Sequence, residues 1–228
     1  MHLPFEQFPA LNAIKVCRHV FVQRIPGIDV SHYKAEVLER LDAAHREIHQ
    51  ATGFGGWPLF TAQQVHGHNI AVIEVGTAQR ADPTSHEFPG CDGIITNQRS
   101  VALGIYVADC CAVYIVDPKI PAIGLVHSGR KGTELGVVTN AIRQMTERFG
   151  SHPANMIVQL SPCIRPPHYQ VDFAAEIRQQ CGALGVQHIH DSGTCTACDL
   201  GRYYSYRAEK GKTGRMLAVI GLDPTVAS

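Results

Sequence analysis

Residues 104–133 read GIYVADCCAVYIVDPKIPAIGLVHSGRKGT. Two apolar runs, Cys111–Val116 and Ala122–Val126, flank an Asp-Pro-Lys turn at Asp117–Lys119. Runs that stay apolar without alternating with polar residues belong to strands buried on both faces. Each run borders a residue that can do chemistry. Cys110 stands where the strand through Tyr106 meets the next one. His127 stands where the second run gives way to a Gly-rich, basic turn and then a helix.

Upstream, Lys15–Gln23 alternates enough for a strand, and Arg24-Ile-Pro-Gly27 breaks it. Ser31 is placed to cap a helix over about His32–Gln50, where Val37, Leu38, Leu41, Ala44 and Ile48 recur at helical spacing. Leu59–Val65 and Asn69–Val75 read as neighbouring strands joined through His66-Gly67-His68, and Gln79–Gly90 as a polar loop. Asp92–Thr96 and Ala102–Val107 are short strands. Downstream, a helix runs from Gly132 to about Phe149, and Asn155–Leu160 is a strand. Ser161–Pro167 is a loop stiffened by prolines. A helix over Phe173–Cys181, a strand over Val186–Ile189, a helix over Cys198–Glu209 and a last strand over Met216–Leu222 complete the chain. Residues 1–13 read as a loosely held N-terminal arm, and 14–228 as one domain. The expected fold class is α/β, of α+β sandwich type, with a mixed, buried sheet flanked by helices.

The composition sets outer limits. The 228 residues are 45% hydrophobic and 18% charged, which describes a globular chain with a real core. A formal net charge of zero argues against nucleic acid or an anionic membrane as the main partner. No run approaches the roughly 18 apolar residues of a membrane span, and the N-terminal residues lack the pattern of a secretory signal. Eight dispersed cysteines without such a signal read as reduced thiols of a cytoplasmic protein.

Several residues carry possible chemistry. His66, Cys110 and His127 each end a strand, and three N/S donors with an open fourth position make a catalytic zinc site. Their spacing forms no local signature, so unrelated polar strand ends remain an alternative. Gly129-Arg-Lys-Gly-Thr133 before a helix offers free N–H groups and two cations to an anion, or is a solvated basic turn. Asp92 and Asp109 can orient a histidine or move a proton, or serve turn chemistry. Cys195-Thr-Ala-Cys198 has metal or redox spacing but no second such pair, so it reads as structural or incidental. Cys111 points away from Cys110 by strand alternation, into the core. Arg202, Arg207 and the tyrosines around Ser205 line a pocket or pack on the sheet.

Taken in order, Gln64-Val-His66-Gly67, Asp92-Gly-Ile-Ile-Thr96, Ala108-Asp-Cys110, His127-Ser-Gly-Arg-Lys-Gly132, Cys195-Thr196, Tyr204-Ser-Tyr-Arg207 and Gly214-Arg215 resemble the motifs of the YfiH-like family. That family is also called the multicopper polyphenol oxidoreductase (laccase-like) or peptidoglycan-editing factor family. Ser161-Pro-Cys-Ile164 with Tyr169-Gln-Val171 is similar to a further family segment. The resemblance implies a single α/β domain and a His, Cys, His metal site at His66, Cys110 and His127, holding zinc or copper. It implies purine nucleoside chemistry with nucleoside and phosphate as partners: phosphorolysis of adenosine, inosine and methylthioadenosine, and deamination of adenosine. Asp92, Asp109 and Cys110 are then the catalytic candidates, and Arg24, Gln64, Arg130, Lys131 and Arg207 the substrate or phosphate contacts. Two segments depart from the family pattern. Gln23–Ser31 keeps Arg24 but loses a glycine pair, and Arg130 replaces the usual aromatic residue.

Three other readings compete. Cys110 as thiolate nucleophile with His127 as base would make a hydrolase or amidase that edits peptidoglycan precursors. One Cys and two His could form a copper centre of a phenol oxidase. A metal-stabilised module could bind a nucleoside or cell-wall fragment without turnover.

Overall fold

A computed structural model describes residues 3–74 and 86–226. The strands are β1 (Phe5–Glu6), β2 (Cys17–Val22), β3 (Leu59–Ala62), β4 (Ile70–Ile73), β5 (Glu87–Phe88), β6 (Gly93–Thr96), β7 (Ala102–Val107), β8 (Cys111–Asp117), β9 (Ala122–Ser128), β10 (Ile157–Leu160), β11 (His188–Asp191) and β12 (Met216–Leu222). The α-helices are α1 (Pro9–Asn12), α2 (Lys34–His49), α3 (Arg130–Glu134), α4 (Val137–Phe149) and α5 (Phe173–Ala183). The strands form two mixed sheets. The first runs β1-β2-β12-β7-β3-β5 and the second β11-β10-β8-β9-β6-β4.

The two apolar runs explain the layering. In β8, Ala112, Tyr114 and Val116 face the core shared with the first sheet. Cys111, Val113 and Ile115 face the opposite way, into a second core with Val138, Ile142 and Met145 of α4 and Ile177 of α5. This is the period of two expected of a strand, with both faces apolar because both are covered. All seven residues of β8 are buried, as are all seven of β9. The Tyr114 hydroxyl crosses the first core to donate to the Val20 carbonyl at 2.9 Å, so this large side chain buries its ring without leaving its polar end unpaired. Helix α2 joins the first core through Val37, Leu41 and Ile48.

The mixed α/β class is as expected, but several local expectations change. The strands on either side of His66-Gly67-His68 are not partners. β3 pairs with β7 in the first sheet, and β4 with β6 in the second. The backbone N–H groups of Val65, His66 and Gly67 go to the Asp92 carboxylate, which takes them out of any ladder. The N-terminal arm is packed rather than loose. Phe8 and Leu11 are buried, β1 pairs with β2, and the Phe8 N–H donates to His19 Nε2 at 2.7 Å. The single helix expected after Gly132 is broken at Gly136, whose φ of 71° ends α3 and starts α4. No helix forms over Cys198–Glu209. The Asp199 side chain accepts from the N–H groups of Gly201 and Arg202, and that local turn competes with a helix. Val75 and residues 79–85 of the expected polar loop lie outside the described residues. Among the described residues no helix is long and apolar enough to cross a membrane.

The chain passes from the first sheet to the second three times in a similar way: β3 to β4, β5 to β6 and β7 to β8. His66 lies on the first of these crossings, Asp92 on the second and Cys110 on the third. The register of β8 against β9 sets Cys111 opposite Ser128 and Ala112 opposite His127. His127 therefore arrives beside the third crossing.

Candidate metal centre and its cavity

The donor atoms of His66, Cys110 and His127 lie within 4.8 Å of one another. Asp92 builds this arrangement from below. Its carboxylate is fully buried and accepts from the backbone N–H of His66 at 2.8 Å, Gly67 at 2.7 Å and Val65 at 3.2 Å. Its Oδ1 also meets His127 Nδ1 at 3.0 Å. A carboxylate only accepts, so His127 keeps a proton on Nδ1 and turns Nε2 toward the cluster, where it becomes a metal donor once that nitrogen gives up its own proton. His66 takes a φ of 60°, a left-handed conformation that the three N–H contacts to Asp92 hold in place. Gly129 makes room for the thiol. A Cβ built there would stand 2.5 Å from Cys110 Sγ.

Electrostatics favours the ionised pair. Burial pushes the Cys110 thiol up, but the His127 charge and hydrogen bonds from His127 and His66 outweigh it and bring the thiol down to about 6. Burial pushes His127 down, and the Cys110 charge together with Asp92 carries it up to about 9. For Asp92, burial again acts upward, while the contacts from His127, Gly67 and His66 leave the carboxyl below its usual range. A thiolate, two imidazoles and a supporting carboxylate are the donor set of a zinc or copper site, so the residues present fit such an ion.

This cluster lines a cavity of about 770 Å³, a volume that suits a small organic ligand. Its walls combine the cations Lys34, Arg130, Arg207, Lys210 and Arg215 with the rings of Tyr106, Tyr169, Phe173 and Tyr206. Among the described lining residues Asp109 is the only carboxylate, and their net charge favours an anion. Asp109 itself is committed. Its Oδ1 accepts from Thr196 Oγ1 and its Oδ2 from the Arg207 N–H, each at 2.7 Å.

The structure sorts the other residues singled out in the sequence. Gln64 lines the cavity, but its amide reproduces a strand pairing by donating to the Tyr106 carbonyl and accepting from the Tyr106 N–H. Arg207 lines it too, with its guanidinium 5.1 Å from the Tyr169 ring centroid. Arg130 lies at the rim, and its Nε donates to Glu134 at 2.8 Å. Lys131 is exposed and is not a lining residue, and α3 has only five residues, too short for the anion site expected at its start. Arg24 is not brought to the cavity. It pairs with Glu209 at 2.7 Å and stacks 4.2 Å from the Tyr204 ring centroid. Lys34 and Tyr106 also line the cavity but carry no signal in the sequence, since each sits within an ordinary-looking helix or strand. Arg215 was legible only as part of the Gly-Arg motif.

The family model described as multi-copper polyphenol oxidoreductase laccase matches residues 19–176 and 167–223. The chain is 30% identical to a protein named purine nucleoside phosphorylase YlmD from Geobacillus stearothermophilus, over 70% of each chain. It is 29% identical to a purine nucleoside phosphorylase of Deinococcus radiodurans, over 90% of this chain and 88% of that one. Among solved structures, YlmD from Geobacillus stearothermophilus superposes with a TM-score of 0.83 at 23% identity, covering 97% of this chain and 100% of the other. A Bacillus licheniformis hypothetical protein YfiH superposes at 0.79 with 22% identity, covering 91% and 93%.

Proposed function

The chain belongs to the multi-copper polyphenol oxidoreductase laccase family, and from that premise we propose that it is a zinc-dependent purine nucleoside phosphorylase that also deaminates adenosine. The supporting observation is the convergence of His66, Cys110 and His127 at a cavity whose described lining residues include five cations. These three residues would hold the ion, which when bound supplies Lewis acidity at the cavity floor. Asp92 positions two of them and is not itself among the described lining residues, so it is read as a positioning residue rather than a catalytic one. Arg207, Arg215 and Lys34 offer charge-assisted donors to a phosphate, and the aromatic wall offers faces to a purine. In phosphorolysis a phosphate oxygen bonds to the ribose anomeric carbon as the bond from that carbon to the purine nitrogen breaks. The bonding pair leaves with the base, which takes up a proton. In deamination water replaces the C6 amino group, which departs as ammonia.

The test counts metal in the purified protein and follows adenosine, inosine and methylthioadenosine with and without phosphate. Base release that requires phosphate and yields ribose 1-phosphate supports the proposal. Full activity after chelation, with only trace metal present, sinks the metal-dependent form of it.

The proximity of Cys110 to His127, with the thiol held low and the imidazole held high, supports a second reading, in which the thiolate is a nucleophile of a hydrolase or amidase. Stoichiometric alkylation of Cys110 in metal-loaded protein, together with turnover of a peptidoglycan precursor, would favour it.

A further inference from the structure

Outside the cavity floor, His168, Cys195 and Cys198 bring a second set of donor atoms within 4.8 Å of one another. Both cysteines are free thiols. Cys198 Sγ lies 3.5 Å and Cys195 Sγ 3.8 Å from His168 Nδ1. We propose that this is a second metal site, for a thiophilic divalent cation of the zinc class, bound by two thiolates and one imidazole.

The local structure makes the site from two separate segments. Thr196–Cys198 is a 3-10 turn. With three residues per turn, positions i and i+3 lie one above the other, so Cys195 and Cys198 project to the same side. His168 comes from the proline-stiffened loop that follows Pro166-Pro167. The two segments are already joined by the Thr196 N–H to the Cys163 carbonyl and by the Cys163 N–H to the Thr194 carbonyl, each at 3.2 Å. The separations match the ion. A tetrahedral zinc with Zn–S of about 2.3 Å and Zn–N of about 2.0–2.1 Å sets sulfur and nitrogen about 3.5 Å apart. A CxxC pair closed by a histidine is a three-donor set with one position open, and Cys198 and His168 are both exposed, so an ion can enter from solvent.

Such an ion ties together two walls of the cavity. The His168 loop carries Ile164 and Tyr169, and the Cys195 segment holds Asp109 through Thr196. The second site is thus a clamp on the cavity edge, independent of which reaction the cavity performs.

The test uses the full chain and two variants at the clamp. Zinc is counted after loading and removal of weakly bound metal. The expected result is one fewer zinc per chain in Cys198→Ala and in His168→Ala than in the unaltered protein. Cobalt gives a second readout in a Cys110→Ala background, which removes the only thiol of the other cluster. A thiolate-to-cobalt charge-transfer absorption should persist there and vanish on adding Cys198→Ala. Equal zinc content in the unaltered protein and Cys198→Ala would overturn the proposal. So would a Cys195–Cys198 disulfide recovered from freshly purified protein with no second ion, or cobalt charge transfer that survives Cys198→Ala.

Discussion

Replacing Asp92 with Asn removes one acceptor oxygen at a point where four donors converge, and the structure fixes what that costs. If the new amide nitrogen takes the place of Oδ2, the N–H groups of Val65 and Gly67 face a donor. If it takes the place of Oδ1, the His66 N–H loses its acceptor and His127 must accept at Nδ1, moving its proton to Nε2. Nε2 can then no longer serve as a metal donor. Hydrogen bonds to a charged group are worth about 1.5–3 kcal/mol each, and in this fully buried place either two are lost or one is lost and a second is reversed, each now to a neutral amide. The expected loss of stability is therefore about 3–5 kcal/mol, since the 65–67 backbone can relax part of the way. Zinc affinity should fall by about 10–100-fold, the usual effect of removing a carboxylate that orients a ligating histidine. Urea unfolding of the apo protein gives the first quantity, and competition with a chromophoric chelator the second. If Asp92→Asn unfolds within about 0.5 kcal/mol of the unaltered chain, as a surface change would, and binds zinc equally well, the role assigned to Asp92 is wrong.

Three further outcomes follow from particular contacts. Alanine at His66, Cys110 or His127 should each reduce zinc affinity by more than the ~100-fold upper range for supporting groups, read by the same competition assay, with circular dichroism unchanged. Gly129→Ala should cost about 1–3 kcal/mol and lower turnover, because its new methyl group would press on the Cys110 thiol; chemical denaturation and steady-state rates check it. Stability should also fall with acidification through His19. Burial holds this ring down to about 4, and its Nε2 must stay unprotonated to accept from the Phe8 N–H. The unfolded chain takes up the proton near pH 6.5, so stability is complete above that pH. It declines toward pH 4, reaching a loss of about 3 kcal/mol from this group. Equilibrium unfolding between pH 7 and 4 should show that slope, reduced in His19→Gln.

The sequence made the central hairpin legible because β8 and β9 are covered on both faces, and continuous apolar runs carry that signal locally. The three candidate ligands are visible in the sequence only as residues at strand ends, brought into one set by the ordered family motifs. What periodicity could not show was the division into two sheets. β3 and β4 look like a hairpin in sequence, since nothing in Gln64–His68 announces that its N–H groups belong to a carboxylate far along the chain. The His168–Cys195–Cys198 set was hidden for the same reason. CxxC was plain, but its third member came from a proline loop on another segment.

The same logic accounts for the strain around the cavity. Six non-glycine residues have positive φ among the described residues, and Gln64, His66, Asp109 and Lys210 all line the cavity. Glycine would relieve each of them locally, yet glycine has no side chain to line the cavity. The holding contacts come from elsewhere: Tyr106 for Gln64, Asp92 for His66, and Thr196 with Arg207 for Asp109. Backbone strain of this kind persists only where its surroundings over-determine it. The crossings between sheets are therefore more than connections. They are the places where long-range contacts hold local conformations that short-range propensity disfavours, and a reading of local propensity passes over those positions.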